Sequence, residues 1–152
     1  MKKNLNSNKI RRAIESIVLQ RLEERGWKVR RNFEFDVPKF TVEYNNNTNF
    51  ILAKNVRLFE HEGVTVFALN ETEVFEILDY AERKNYTCDV YILNSVKTKI
   101  IFADLAYLVA TDTVNGVKFP IHDGEKIIVP LYKMLPFTWL TNAEMDMVEG
   151  RG

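Results

Sequence analysis

At 152 residues, with 46% of them apolar and 21 basic side chains balanced by 21 acidic ones, the chain suits one compact domain that buries a single core. A lone cysteine, Cys88, and only two histidines, His61 and His122, exclude a disulfide-stapled module and a structural zinc fold. No apolar run approaches the roughly 20 residues that span a bilayer, and the opening MKKNLNSNKIRR lacks the apolar stretch of a secretory signal, so the expectation is a soluble, cytoplasmic protein with no membrane partner.

Asn8 can cap a first helix whose apolar positions Ile10, Ala13, Ile14, Ile17, Val18 and Leu22 form one stripe, and Gly26 is placed to end it. Trp27, Val29, Phe33 and Phe35 then alternate loosely with polar residues, which predicts a strand with a slip in register near Arg31 and Asn32. Pro38 interrupts it. Phe40, Val42 and Tyr44 predict a second strand, the Asn45, Asn46 and Asn47 tract a hairpin turn, and residues 50–58 its partner.

After an acidic turn at residues 60–63, residues 64–69 read as a further strand. Asn70 and Glu73 resemble a helix start, with Val74, Ile77, Leu78 and Ala81 continuing at helical spacing. Strands are expected over residues 88–93 and 100–103, with Cys88 buried, and Asp104 can cap a short helix. Asn115-Gly116 and Asp123-Gly124 are turn dipeptides, residues 126–129 an expected edge strand, and Pro136, Phe137, Trp139 and Leu140 a C-terminal flap. The spacing of Phe33, Phe35, Phe50, Phe67 and Phe75 predicts core positions, while Tyr107, Tyr132 and Trp139 are the first candidates among the aromatics for exposure. His122 and its acidic neighbours Asp123 and Glu125 read as a turn before they read as a metal site.

Charge is uneven along the chain. Basic residues, among them Arg11, Arg12, Arg21, Arg25, Lys28, Arg30 and Arg31, crowd the first fifth, and acids dominate the middle.

The predicted order of helix, three strands, helix and strand argues for an α/β (α+β) fold, a central mixed sheet flanked by helices. Within it, residues 38–54, PKFTVEYNNNTNFILAK, place a proline at the start of one strand and a lysine at the end of the next. This layout resembles the PD-(D/E)XK superfamily of restriction endonucleases, archaeal Holliday-junction resolvases and related repair nucleases, over about residues 10–93. The resemblance implies a restriction-endonuclease-like αβββαβ core in a single domain over 1–152, with 94–152 as C-terminal additions. In that pattern Pro38 falls on the family proline and Lys54 on the family lysine, but Lys39 falls on the aspartate and Leu52 on the second acid.

A metal ion that activates water for phosphodiester attack needs at least two hard oxygen ligands. Leu52 offers none and Lys39 would repel the ion. The leading expectation is therefore a catalytically degenerate nuclease-fold protein that needs no cofactor and binds nucleic acid, DNA before RNA, or a nucleoprotein partner. Lys28, Arg30, Arg31, Lys39 and Lys54 would supply its phosphate contacts. A second reading is an active Mg- or Mn-dependent endonuclease with relocated acids, in which Glu15, Asp36 and Glu43 join Lys54 and the metal sits on Asp36 and Glu43. A third is a protein-interaction module of a viral or mobile-element system, built on the acidic second helix and the flap at Trp139. Self-association as a homodimer stays open in all three.

Overall fold

A helix runs on as long as no residue stops it, and the segment ahead of Asn8 holds neither glycine nor proline. In the computed structural model α1 accordingly spans Lys2–Glu24, so Asn8 lies inside the helix rather than at its cap. The model describes residues 2–34 and 37–149, with only the backbone of residues 2–6, so Phe35 and Asp36 lie outside the described residues. Gly26 ends α1 at φ +91, with the Trp27 amide donating to the Leu22 carbonyl at 3.0 Å. The stripe read from the sequence is the buried one: Ala13, Ile14, Ile17, Val18 and Leu22 are all in the core.

The principal sheet has six strands in the order β1-β2-β3-β6-β7-β12. These are β1 Lys28–Arg31, β2 Phe40–Tyr44, β3 Asn47–Ala53, β6 Thr87–Leu93, β7 Lys99–Asp104 and β12 Leu135–Trp139. All neighbours are antiparallel except β3 and β6, which run parallel with Leu52 opposite Val90. A parallel pair needs a crossover, and here it is built from β4 Phe59–His61, β5 Val64–Asn70 and α2 Glu71–Lys84. The strand expected over residues 50–58 is shorter than its apolar content suggests, because β3 ends at Ala53.

Alternation along the strands sorts the core into two layers. Ile51, Ala53, Tyr91, Leu93 and Ile100 face α1, and Phe50, Leu52, Val90, Ile92 and Ala103 face α2 and α3, Leu105–Leu108. The sheet is thus mixed and covered by helices on opposite sides. Cys88 is buried in the α2 layer. α2 is framed by its caps: Asn70 Oδ1 accepts from the Glu73 amide at 2.8 Å, and Asn85 ends the helix in the left-handed region.

A second, four-stranded sheet has the order β10-β11-β5-β4, with β10 Ile121–Asp123 and β11 Lys126–Pro130. Here the expected edge strand is corrected, since β11 lies between β10 and β5. Phe67 and Leu69 on one face of β5, with Ile127 and Val129 of β11, pack into the α2 layer. The other face, with Val64, Val66 and Ile128, lies under Phe119 of the hairpin formed by β8 Asp112–Val114 and β9 Val117–Phe119. The expected flap is instead β12, an outer strand whose register shifts between Pro136 and Thr138, followed by α4 Asn142–Val148. Residues beyond 94 therefore supply strands to both sheets.

The aromatic expectations divide. Phe50 and Phe67 are buried, but Phe33 is 86% exposed and Phe75 also reaches solvent, because each stands on the outward side of its segment. Tyr107, Tyr132 and Trp139 are exposed as expected. Phe137 instead packs edge-on against Tyr91 and Phe102.

Lys133, in a 3-10 turn, is the unusual buried cation. Its Nζ donates to the Tyr107 and Ala110 carbonyls at 3.0 and 2.8 Å, in and just beyond the last turn of α3, and lies 4.9 Å from the Tyr107 ring centre. Replacing Lys133 with Met keeps the stem's volume but strands both carbonyls, so a loss of about 1–3 kcal/mol is expected in denaturant unfolding. No loss would mean that the ammonium contributes nothing.

Candidate functional site

The carboxyl end of the β3/β6 parallel pair is where an open α/β sheet leaves a crevice between its two layers. On the α2 side, Val37, Pro38, Leu52, Asn70, Thr72, Glu73, Glu76 and Ile77 line a cleft of about 370 Å³. Three segments build it. Pro38 is held by Asn32, whose Nδ2 donates to the Pro38 carbonyl at 3.0 Å and to Thr41 Oγ1 at 2.5 Å, clamping the β1–β2 connection. Leu52 arrives on β3, where strand alternation turns it into the α2 layer with 8% of its surface exposed. The first turns of α2 add Glu73 and Glu76, three residues apart and hence on one face of the helix.

Lys54 follows Leu52 by two residues and continues the strand, its amide donating to the Tyr91 carbonyl at 3.0 Å. Its ammonium lies 2.5 Å from Glu73 Oε1, an ion pair with both partners only partly exposed. Glu73 is the site residue that sequence reading missed. Its position three residues after Asn70 marks it as part of a helix start, which it is, but no local pattern tells that the helix start is folded back onto the end of β3.

Of the expected relocated set, the described members Glu15, Glu43 and Lys54 stand apart. Glu43 forms an exposed ion pair with Arg30 at 2.8 Å and stands opposite Thr48, six residues from Lys54 along β3, or about 20 Å at strand rise. Glu15 pairs with Arg11 at 3.9 Å on α1, the helix that covers the other face of the sheet. Asp36 lies outside the described residues.

Of the five expected phosphate contacts, Arg30 and Lys54 are neutralised by Glu43 and Glu73. Arg31 lies over the Phe33 and Phe40 rings at 5.5 and 5.8 Å. Lys28 and Lys39 are exposed on and beside the outer strand β1. His122 Nδ1 lies 2.5 Å from Glu71 Oε2 and its ring stacks on Phe75.

The donor set answers whether a divalent ion belongs here. The positions at which the sequence resemblance looks for acids hold an exposed ammonium, Lys39, and a buried isobutyl group, Leu52. The carboxylates in the cleft are Glu73 and Glu76, and Glu73 already has the Lys54 ammonium as its counter-cation. Among the described residues no group of three or more histidine, cysteine, aspartate or glutamate side chains is gathered for a metal. The described residues do not fit the ion.

No family model matches the sequence, and no curated protein does. Among solved structures, the chain is similar to the Holliday junction resolvase Hjc from the archaeal hyperthermophile Archaeoglobus fulgidus, with a TM-score of 0.58 over 83% of this chain and 90% of that one at 12% identity. It also matches a nuclease from a fusselovirus at a TM-score of 0.45 and 11% identity, over 89% of this chain and 84% of that one.

Proposed function

We propose that this chain, whose fold is that of the restriction-endonuclease-like nucleases, binds nucleic acid without hydrolysing it. The single observation that carries this reading is the Lys54–Glu73 ion pair beside Leu52. Where the fold's enzymes need two acids to hold an ion, this chain offers a hydrocarbon and a cation that supplies its own acid's counter-charge. In this reading Lys28, Arg31 and Lys39 meet phosphates along the outer edge of the sheet, and Lys54 stands beside the cleft paired with Glu73. DNA is the preferred polymer in this reading, and contacts of this kind give affinity without reading sequence.

The reading is tested by titrating salt into complexes of the protein with duplex and four-way-junction DNA. Affinity that falls linearly on a log–log plot is expected, because each neutralised phosphate releases counter-ions. Binding that is absent at low salt, or indifferent to salt, overturns it. In parallel, plasmid and junction DNA incubated in Mg or Mn should stay intact; cleavage abolished by Lys54→Ala would return the protein to the enzymes.

Charge at the cleft makes a further prediction. Glu73→Gln removes the acid that neutralises Lys54, and DNA affinity is expected to rise about twofold to fivefold. Unchanged affinity in this variant would place the bound polymer away from the cleft.

A further inference from the structure

On the α1 side of the same sheet end lies a second cleft, of about 530 Å³, lined by Ser7, residues 55–58, residues 93–95 and Lys97. We infer that it is a phosphate-binding subsite, held by Arg57 and Lys97 with the hydroxyls and amides around them. The inference rests on the nucleic-acid reading only for the source of the phosphate.

Its lining chemistry selects for an anion. Every charged group in it, Arg57 and Lys97, is cationic, and its polar side chains are Ser7, Asn55, Asn94 and Ser95, all able to donate; no carboxylate takes part. This is uncommon in a chain whose acids and bases are equal in number. Five other cations do have acidic partners: Arg11 with Glu15, Arg21 with Glu144, Arg30 with Glu43, Lys54 with Glu73 and Arg83 with Asp79. Neither Arg57 nor Lys97 has an acidic partner among the described residues. Two cations without acidic partners therefore line one concave place.

The cleft is also shaped before any ligand arrives. Lys97 stands in the left-handed region at φ 57, a conformation fixed by Asn94: the Asn94 carbonyl accepts from the Lys97 amide at 3.1 Å, and its Oδ1 accepts from the Thr98 and Lys99 amides. Asn55 Nδ2 donates to Ser7 Oγ at 3.2 Å, tying the segment after β3 to α1. Cations mounted on such a turn lose less freedom on binding than cations on a loose loop.

Fluorescence anisotropy of a labelled duplex with the full chain separates this inference from the reading it rests on. The Arg57→Gln/Lys97→Gln variant is compared with Arg83→Gln/Lys84→Gln, which removes equal charge from the far end of α2. The cleft variant is expected to lose at least tenfold in affinity and to flatten the salt dependence by about 2 in slope, at about 0.9 per phosphate contact. Equal losses in both variants, or wild-type behaviour in the cleft variant, overturn the subsite while leaving nucleic-acid binding intact. Amide chemical shifts on titrating inorganic phosphate supply the second readout. Selective movement at Ser95 and Lys97 supports the subsite even if no duplex binds, in which case the nucleic-acid reading falls alone; no movement and no duplex binding sinks both.

Discussion

Replacing Asp89 with asparagine is expected to stabilise the protein at pH 8 by about 2–4 kcal/mol, at about 1.4 kcal/mol per unit of pKa difference. Asp89 sits mid-sheet on the α1-facing side of β6, directly across from Asp104 of β7, with Asn49 Nδ2 3.5 Å from its Oδ2. Burial first, and the Asp104 charge second, push its carboxyl from the ordinary range up to about 7. Between the unfolded value near 4 and that folded value, the folded chain holds a proton that the unfolded chain has released. Stability from this group is therefore complete below about pH 4 and is lost as pH rises to 7. Asparagine keeps the shape and an acceptor for Asn49 but has no charge to bury, so the variant should lack the decline.

Other acids act in a different window. Burial opposes ionisation of Glu144, yet hydrogen bonds from Arg21 and the Thr141 backbone hold its carboxyl below the usual range. Its contribution disappears only in more acidic solution. Urea unfolding of both proteins at pH 5 and pH 8 checks the prediction. A variant no more stable than the parent at pH 8, or an equal gain at both pH values, contradicts it.

Phe67→Ala is expected to destabilise by about 3–5 kcal/mol, the range for removing a fully buried aromatic ring. Phe67 lies on β5 of the four-stranded sheet, wholly buried, and its ring is part of the same apolar layer as Phe50, Val90 and Ile77. It joins the second sheet to the first. A midpoint drop of about 6–20 °C should follow in thermal unfolding, for about 2–4 °C per kcal/mol at this chain length. Phe33→Ala, at a ring that is 86% exposed, should change stability by no more than about 0.5 kcal/mol. Equal effects at the two positions would show that the assignment of β5 to the shared layer is wrong.

Those two phenylalanines also mark how far a sequence can be read. Both stand in apolar, loosely alternating segments, and alternation says which residues share a face without saying whether anything covers it. Several local readings held: the α1 stripe, Gly26, the Asn70 cap and a turn at Asn45 and Asn46 are each set by neighbours along the chain, while Asn47 already pairs in β3 and Asn8 lies inside α1. Position in a sheet is not local. Residues 126–129 look like an outer strand until β10 and β5 close on both sides of them. The candidate site failed to appear for the same reason. Lys54 and Glu73 are brought together by a crossover of nearly twenty residues, and Glu43, which looks close to Lys54 across a hairpin, is carried to its far end by antiparallel register.

The two margins of the six-stranded sheet carry a last consequence. On one side β1 displays Lys28, Arg30 and Arg31 to solvent, and on the other β12 combines Pro136, which has no amide hydrogen to offer, with a break in register. A foreign strand arriving at either rim meets like charge or a missing donor, so neighbouring molecules have no template on which to zip into a continuous ribbon. Crowded solutions are guarded against fibre growth from these two borders.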